Sequence, residues 1–227
     1  MRKWDELPRD MKNMEVKYYY QILQSRKASL IMKRVMDILL SAILLIILLP
    51  LFLLVGIIIK VDSHGPVMFR QMRITQYERK FRIFKFRTMV ENAEQVGTQV
   101  TTKGDMRVTR VGKFLRKYRI DEIPQLINIF LGDMTFVGTR PEVEKYVHYY
   151  TDAMKATLLL PAGVTSRTSI LYKDEEKLLD EAKDADEVYV NIILPEKMKY
   201  NLALIEEFNF WEDIKTMLLT VKAVIKR

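Results

Sequence analysis

The feature that most constrains this chain is one uncharged hydrophobic run of 22 residues, 38–59, with the sequence ILLSAILLIILLPLFLLVGIII. A helix of that length is roughly 33 Å long, which is enough to cross the hydrocarbon core of a bilayer. A cleavable signal peptide fits poorly, because the run starts late and no small-residue cleavage site follows it. The simplest interpretation is a transmembrane anchor.

Two features favour a helix that enters and leaves the bilayer through the same face. Pro50 lies inside the run, where a proline removes a backbone hydrogen bond and bends the helix. Basic residues flank both ends of the run: Arg26, Lys27, Lys33 and Arg34 before it, and Lys60, Arg70, Arg73, Arg79 and Lys80 after it. A single span would place one basic cluster outside, against the positive-inside tendency. We therefore predict a membrane-associated, monotopic protein with a re-entrant, Pro-kinked helix.

This interpretation divides the chain into three parts. Residues 1–32 form an N-terminal amphipathic segment that lies along the membrane interface, and 33–60 form the re-entrant helix. Residues 61–227 form a domain in water that ends in an amphipathic helix over 196–227, with an apolar stripe formed by Trp211, Ile214, Leu218, Val221 and Ile225. Such a helix could pack on a second copy of the chain or lie on the membrane.

The charge of the chain is unevenly distributed. The formal net charge is +8, and the segment 60–119 holds 15 Lys or Arg residues against 5 Asp or Glu. A basic region of this kind suits lipid headgroups, phosphate ligands or nucleic acid. The chain has no cysteine and two histidines, which excludes disulfides, thiolate metal sites and a cysteine nucleophile and argues against a multi-histidine metal site.

The pattern after the membrane segment predicts an α/β domain that is mostly helical with a small sheet. Residues 81–87 alternate apolar and basic residues, which indicates a strand with a basic face. Helical spacing is found at 111–118 and at 123–130, where Gly132 is the stop signal. An acidic stretch over 173–187 is typical of an exposed helix.

The acid pair Asp121-Glu122 lies at the predicted start of the 123–130 helix, with Asp121 as the N-cap. The helix dipole and the nearby basic residues keep the Asp121 carboxylate ionised, so that it can bind Mg²⁺ or attack phosphorus. Glu122 can share the metal or hold a proton. On the dipeptide alone, a capped surface helix paired with arginines is the stronger alternative.

Three further basic residues are candidates for binding phosphate. Lys85 and Arg87 lie on the basic strand face, although an ordinary solvated strand explains them equally well. Arg140 precedes Pro141 on a rigid turn, which suits bidentate phosphate binding. The alternative interpretation of Arg140 is an ordinary loop arginine that pairs with Glu142 or Glu144.

These residues resemble a known family, the bacterial sugar transferases or monotopic polyprenyl-phosphate hexose-1-phosphate transferases. The resemblance rests on four blocks and the hydrophobic run between the first two: KRVMD (33–37), GPVMFRQMR (65–73), FRIFKFRTM (81–89) and RVTRVGKFLRKYRIDEIPQLINIFLGDMTFVGTRPE (107–142). They cover roughly half of the chain in the order and spacing of the family, and the last block is highly specific. The match weakens after the PAGVT segment at 161–165.

The resemblance implies an activity, its cofactor and its location. Such enzymes move a sugar-1-phosphate from a UDP-sugar onto polyprenyl phosphate, release UMP, need Mg²⁺ and start the assembly of surface glycans. They sit on the cytoplasmic face of the bacterial inner membrane. The resemblance assigns Asp121 as the nucleophile that forms a phosphosugar intermediate, Glu122 as its partner, and Lys85, Arg116 and Arg140 as phosphate-binding residues.

The chain departs from the family pattern at four places. Thr75 stands where the family has a glycine, and Glu78-Arg79 stands for its Gly-Lys pair. Gly-Pro-Arg-Pro is Gly-Thr-Arg-Pro at 138–141, and Thr-Gly is Thr-Ser at 165–166. The first two changes affect the loop near the membrane, and the change at 165–166 affects contacts to the sugar or nucleotide, which makes the identity of the donor sugar the least secure expectation.

The competing hypothesis is a membrane-tethered adaptor or nucleic-acid-binding protein, based on the basic region with its interleaved Phe and Tyr residues. It gives no role to Asp121-Glu122, whose charges would repel phosphates, and the region lacks a helix-turn-helix or RNP pattern. We therefore expect no nucleic-acid partner.

Overall fold

The computed structural model describes residues 1–93, 105–168 and 184–225. Its helices and strands are α1 (Met14–Ser25), α2 (Lys27–Ile47), α3 (Leu49–Asp62), β1 (Met68–Ile74), β2 (Lys80–Phe86), α4 (Arg110–Lys117), α5 (Gln125–Leu131), β3 (Met134–Val137), α6 (Glu144–Val147), β4 (Ala162–Thr165), α7 (Ala185–Val188), a π-helical turn (Tyr189–Ile193), α8 (Leu194–Glu206) and α9 (Phe210–Ile225). The expectation of a mostly helical α/β chain with small sheets is confirmed.

The strands form two separate pairs. β1 and β2 are an antiparallel hairpin in which Met68 pairs with Phe86 and Ile74 with Lys80. β3 and β4 are parallel, with Met134 beside Ala162. The predicted strand over 81–87 is thus confirmed to within one residue at each end. The predicted acidic helix over 173–187 lies mostly outside the described residues.

The hydrophobic run forms two helices rather than one. In the described residues no single helix is long and apolar enough to cross a membrane, but α2 and α3 together pass that test and are bent by 60° at their junction. Pro50 lies in the first turn of α3. The N–H groups of a first turn have no hydrogen-bond partner within the helix, so the proline removes no helical hydrogen bond there. One face of the pair packs on the domain through Val55 and Ile59, whereas many apolar side chains of the other face are exposed, including Ile43, Ile46, Leu53 and Ile57.

The N-terminal segment contributes to the largest hydrophobic core. Leu7, Met11, Val16, Tyr20 and Leu23 are buried in it. The same core holds residues from α6, α8 and the 3-10 helix at 154–159. Segment 1–32 is therefore packed against the domain, and whether any of its surface also touches a membrane stays a prediction.

A buried ionic cluster joins α2 to β3 and α9. The Lys33 ammonium donates to the Val137 carbonyl at 2.7 Å and pairs with Asp213. The Asp37 carboxylate accepts hydrogen bonds from the Thr135 hydroxyl at 2.7 Å and from the Phe136 N–H at 3.2 Å. Helix α2 is thereby fixed to β3, the strand that leads into the turn carrying Arg140.

The C-terminal helix predicted over 196–227 is two helices, α8 and α9, so the prediction of one continuous helix is wrong. The break falls around Phe208, whose side chain is buried and whose carbonyl accepts a hydrogen bond from the Arg26 guanidinium. On α9, Trp211, Leu218 and Val221 are exposed, as expected for a stripe that contacts a membrane or a second copy.

Candidate active site

Three basic side chains from distant parts of the chain converge on Glu122. Its Oε1 atom lies 2.9 Å from Lys85 Nζ, 2.9 Å from Arg140 Nη2 and 3.6 Å from Arg119 Nη1. The Glu122 side chain is only 10% exposed. The structure therefore brings two of the predicted phosphate-binding residues, Lys85 and Arg140, to one of the predicted acids, Glu122. Arg140 pairs with Glu122 rather than with Glu142 or Glu144, as the alternative interpretation had it.

The charge of Glu122 is stabilised by this arrangement. Burial opposes ionisation, but Arg140, Lys85 and Arg119 outweigh it and hold the pKa of the Glu122 carboxyl well below its usual range. Burial lowers the pKa of Lys85, although the neighbouring Glu122 acts in the opposite direction. Glu122 is consequently a fixed negative charge, and it holds the two phosphate-binding candidates in place.

Asp121 lies next to Glu122 but in a different environment. It is buried, and its Oδ1 atom has no hydrogen-bond partner among the described residues. Burial and the adjacent Glu122 raise the pKa of the Asp121 carboxyl, against the influence of Lys85, Arg116 and Arg119. A buried carboxylate oxygen without a partner is costly for a fold, and such groups are concentrated at functional sites.

The expectation that Asp121 caps a helix is wrong. Asp121 lies within a 3-10 turn, Ile120–Glu122, and α5 begins only at Gln125, after Pro124. Pro124 occupies the cap position and no side chain caps this helix. A proline suits that position, because the first turn of a helix has no partner for its N–H groups. The Asp121 side chain is therefore free of a capping hydrogen bond.

An asparagine that received no role from the sequence fixes the acid pair against the hairpin. Asn128 on α5 is fully buried; its Oδ1 accepts from the Phe84 N–H at 2.8 Å and its Nδ2 donates to the Arg82 carbonyl at 3.0 Å. These bonds join α5 to β2 on either side of Ile83, two residues before Lys85. Because an amide offers both a donor and an acceptor, a buried Asn can satisfy a strand edge in this way. Its signal in the sequence was a polar residue on an otherwise apolar helix.

Arg140 is carried by the turn that follows β3. The glycines Gly138 and Gly163 lie against each other there, and a Cβ atom on Gly163 would come within 2.2 Å of the Gly138 nitrogen. The Gly138 N–H donates to the Thr165 carbonyl and the Gly163 N–H to the Thr139 carbonyl. This close approach of two backbones fixes the start of the Arg140 turn.

The other two predicted phosphate-binding residues lie differently. Arg116 donates through Nε to the Thr88 hydroxyl at 2.8 Å, and its charge acts on Asp121. Arg87 is buried, and its guanidinium donates to the Ser63 and His64 carbonyls at the end of α3. The structure does not bring Arg87 into the Glu122 cluster. Its contacts instead join β2 to the end of the hydrophobic run, and phosphate binding by Arg87 stays a prediction.

The described residues hold no group of three or more Asp, Glu, His or Cys side chains that could bind a metal ion by themselves. Mg²⁺ is commonly held by one or two carboxylates together with substrate phosphates and water. The free Asp121 Oδ1 atom fits such a site, whereas Glu122 Oε1 is already occupied by cations. The residues therefore fit a magnesium ion that is shared with a phosphorylated substrate.

Comparison with known proteins identifies the family of the chain. The sequence model for the family "Bacterial sugar transferase" matches residues 28–227. The chain belongs to the bacterial sugar transferase family.

Curated relatives carry names that describe one type of reaction. The chain is 36% identical over 196 residues to a UDP-N-acetylgalactosamine-undecaprenyl-phosphate N-acetylgalactosaminephosphotransferase of Aeromonas hydrophila, covering 85% of the chain and 43% of the relative. It is 32% identical over 193 residues to a UDP-glucose:undecaprenyl-phosphate glucose-1-phosphate transferase of Caulobacter vibrioides, covering 85% and 69%. A Klebsiella pneumoniae protein with the latter name is 32% identical over 199 residues, covering 85% and 40%. The chain thus spans about two fifths of the length of several relatives.

Proposed function

We propose that this protein transfers a sugar-1-phosphate from a UDP-sugar to polyprenyl phosphate, such as undecaprenyl phosphate, and releases UMP. The observation that carries the proposal is the pair of adjacent acids in opposite states. Glu122 is neutralised by Lys85, Arg140 and Arg119, while the Asp121 Oδ1 atom beside it is buried and unpartnered. The family and the names of the relatives support the same reaction.

In the first half-reaction, Asp121 acts as the nucleophile. A carboxylate oxygen attacks the β-phosphorus of the UDP-sugar, the bond from that phosphorus to the bridging oxygen breaks, and UMP leaves with the bond electrons. The product is a sugar phosphate joined to Asp121 as an acyl phosphate. Lys85 and Arg140 lie next to the acid and can neutralise the non-bridging phosphate oxygens, on which the transition-state charge is spread.

In the second half-reaction, polyprenyl phosphate is the nucleophile. One of its phosphate oxygens attacks the same phosphorus, the bond to Asp121 breaks, and the carboxylate is restored. The lipid product is a polyprenyl diphosphate sugar, from which assembly of a surface glycan can start. Because both steps use the same basic side chains, one site serves donor and acceptor in turn, as covalent catalysis allows.

We further propose that Asp121 would hold Mg²⁺ when a substrate is bound. When bound, the ion would neutralise phosphate charge and orient the diphosphate. The support for this is the Asp121 Oδ1 atom, which is buried and has no hydrogen-bond partner in the described residues.

The membrane location is also a proposal. The exposed apolar side chains of α2 and α3, the 60° bend between them and the basic residues at both flanks support a re-entrant pair that keeps the active site on the cytoplasmic face of the inner membrane. A polyprenyl phosphate held in the cytoplasmic leaflet would then present its headgroup to Asp121 and to the basic side chains of Lys85 and Arg140. The basic residues of the site thus have small anionic ligands to bind, and a nucleic-acid role is not proposed.

The test is a turnover assay with purified protein in lipid nanodiscs. With Mg²⁺, undecaprenyl phosphate in excess and a panel of UDP-sugars, at least one donor is expected to release UMP stoichiometrically with lipid-linked sugar. When the acceptor is withheld, intact-mass analysis is expected to show the mass of one sugar phosphate added to the chain. The absence of UMP release with every donor would contradict the proposed function.

A further inference from the structure

The turn that carries Arg140 is held from the side of β1 as well as from the side of β4. The Ile74 N–H, at the end of β1, donates to the Glu142 carbonyl at 3.0 Å. The neighbouring Arg73 donates through Nη1 to the Pro141 carbonyl at 3.2 Å. The end of β1 therefore fixes the two residues that follow Arg140. The proposed reaction so far gives no role to Arg73.

Arg73 brings a further positive charge close to Arg140. Both residues line one small cleft together with Lys85. Burial lowers the pKa of Arg73, the Glu142 carboxylate raises it, and the charge of Arg140 lowers it. A guanidinium stays protonated in proteins, so Arg73 attracts Glu142 and repels Arg140 at neutral pH.

Glu142 is the acid nearest to Arg140 in the sequence and could compete for its guanidinium. The Glu142 side chain is buried and accepts a hydrogen bond from the Tyr189 hydroxyl. A buried carboxylate needs an opposite charge nearby, and Arg73 supplies one. If the charge of Arg73 were removed, Glu142 would attract Arg140 more strongly, and the repulsion that keeps Arg140 away would be lost.

Glu144, the other acid close to Arg140 in the sequence, is in a different situation. Its carboxylate pairs with Lys80 at 2.7 Å, and about half of each side chain is exposed to water. Water screens such a pair, and Lys80 already neutralises the acid. Glu144 is therefore a weak competitor for Arg140 and provides a charge-matched comparison with Glu142.

We propose that Arg73 is a positioning residue that keeps Arg140 paired with Glu122, and this inference rests on the proposed function. The Arg140 side chain is 39% exposed, so it has room to change its partner. Arg73 opposes that change in two ways, because it holds the turn through the Pro141 carbonyl and repels the Arg140 guanidinium. Arg140 thus stays beside the acid pair, where it can neutralise a substrate phosphate.

The experiment removes the charge of Arg73 and then removes the competing acid. Arg73→Met is expected to lower kcat/KM for the preferred UDP-sugar by about 10- to 100-fold, because a charged hydrogen-bond donor is drawn away from the substrate phosphate. Adding Glu142→Gln is expected to recover at least about 5-fold of that loss, because the carboxylate that attracts Arg140 is then gone. Glu142→Gln alone is expected to give no gain.

The controls separate this role from a purely structural one and from a simple loss of charge. Arg73→Met with Glu144→Gln has the same net charge as the first double variant but keeps Glu142, so no recovery is expected. Arg82→Met, the same change at an exposed position on β2, is expected to alter kcat/KM by less than about 2-fold, because water and salt screen an exposed charge. Equal recovery in both double variants would overturn the proposal in favour of net charge, and recovery in neither would overturn it in favour of a structural role. If Arg73→Met does not fold, Arg73→Gln tests the same recovery.

A crystal structure of Arg73→Met tests the inference without turnover. The Arg140 guanidinium is expected to leave Glu122 and to contact the Glu142 carboxylate. A guanidinium that stays on Glu122 would overturn the inference, whatever the activity of the variant. If the wild-type protein turns over no donor but Arg140 changes its partner in Arg73→Met, the proposed function fails and the role of Arg73 in fixing Arg140 stands.

Discussion

Asp121 and Glu122 are neighbours in the chain, but their carboxyl groups are shifted in opposite directions. Burial and Glu122 raise the pKa of Asp121, whereas three basic side chains hold the pKa of Glu122 well below its usual range. Pairs of carboxyls with separated pKa values are a common sign of divided roles in catalysis. Glu122 organises the basic residues, and Asp121 is left available for a substrate.

The first prediction follows from the cost of leaving Asp121 unpaired. Asp121→Asn is expected to lower turnover by at least about 10³-fold, because the nucleophile is lost. It is also expected to raise the free energy of unfolding by about 1 kcal/mol at neutral pH, because it removes a buried charge whose folded-state pKa is raised. Activity and thermal unfolding of the same preparation measure both effects.

The stability gain has a defined pH dependence. Because the pKa of Asp121 is higher in the folded state than in the unfolded state, the folded protein binds more protons between these two pKa values. Ionised Asp121 therefore destabilises the fold in full only above its folded-state pKa. The effect disappears as the pH falls below its unfolded-state pKa. The advantage of Asp121→Asn is therefore expected to shrink towards acidic pH. A variant that loses stability and activity together at pH 7 would contradict this account of Asp121.

The second prediction concerns the pH profile of turnover. The rate is expected to rise with pH through the raised pKa of Asp121, because the nucleophile must be deprotonated. It is expected to fall on the alkaline side as Lys85, whose pKa is lowered by burial, loses its proton. In Lys85→Arg the alkaline limb should move to higher pH, because a guanidinium does not titrate there. An alkaline limb that does not move would exclude Lys85 as its cause.

The residue types of the site could be predicted from the sequence, but their contacts could not. Lys85, Glu122 and Arg140 were recognised as polar or basic candidates, yet Lys85 lies 37 positions and Arg140 18 positions from Glu122 in the chain. Their convergence depends on how β2 and the turn after β3 pack around α5. That packing depends on the hydrogen bonds of Asn128 and on the close approach of Gly138 to Gly163. Both are tertiary contacts, which a local sequence pattern does not predict.

The errors made from the sequence have the same origin. An acid before an apolar helix favours an N-cap, but Pro124 took that position and the helix began at Gln125. Continuous amphipathic spacing favoured one C-terminal helix, but the burial of Phe208 and the bond from Arg26 to its carbonyl interrupt it. In both places a neighbouring residue or a tertiary contact outweighed local propensity.

The third prediction uses a strained turn between β1 and β2. Tyr77 and Glu78 have φ angles of 58° and 59°, in the left-handed region that favours glycine. Glu78→Gly is expected to stabilise the protein by about 0.5–1 kcal/mol, since relief of strain exceeds the added entropy of the unfolded chain. Glu15→Gly, at an exposed position in the first turn of α1, should have the opposite effect. Chemical denaturation of the two variants gives the comparison, and a shared sign would refute it.

The fourth prediction concerns the buried pair that joins α2 to α9. Asp213→Asn is expected to destabilise the protein by about 3–5 kcal/mol, because it leaves the Lys33 ammonium buried without its counter-charge. Glu196→Gln removes the partner of Lys199 in an exposed pair and should cost far less, because water screens an exposed pair. If Asp213→Asn costs no more than Glu196→Gln, the buried pair does not hold α9 in place.

The fifth prediction distinguishes a re-entrant helix pair from a span, and the absence of native cysteine makes it direct. Single cysteines are placed at three exposed positions: Ala28 and His64 on the two flanks and Leu49 at the bend. In spheroplasts, a membrane-impermeant thiol reagent is expected to label none of them, since both flanks should face the cytoplasm and the bend should lie in lipid. After the cells are opened, Ala28→Cys and His64→Cys should react and Leu49→Cys should remain protected. Labelling of either flank in intact spheroplasts would show that α2 and α3 cross the membrane, and the 60° bend would then lie within a broken span.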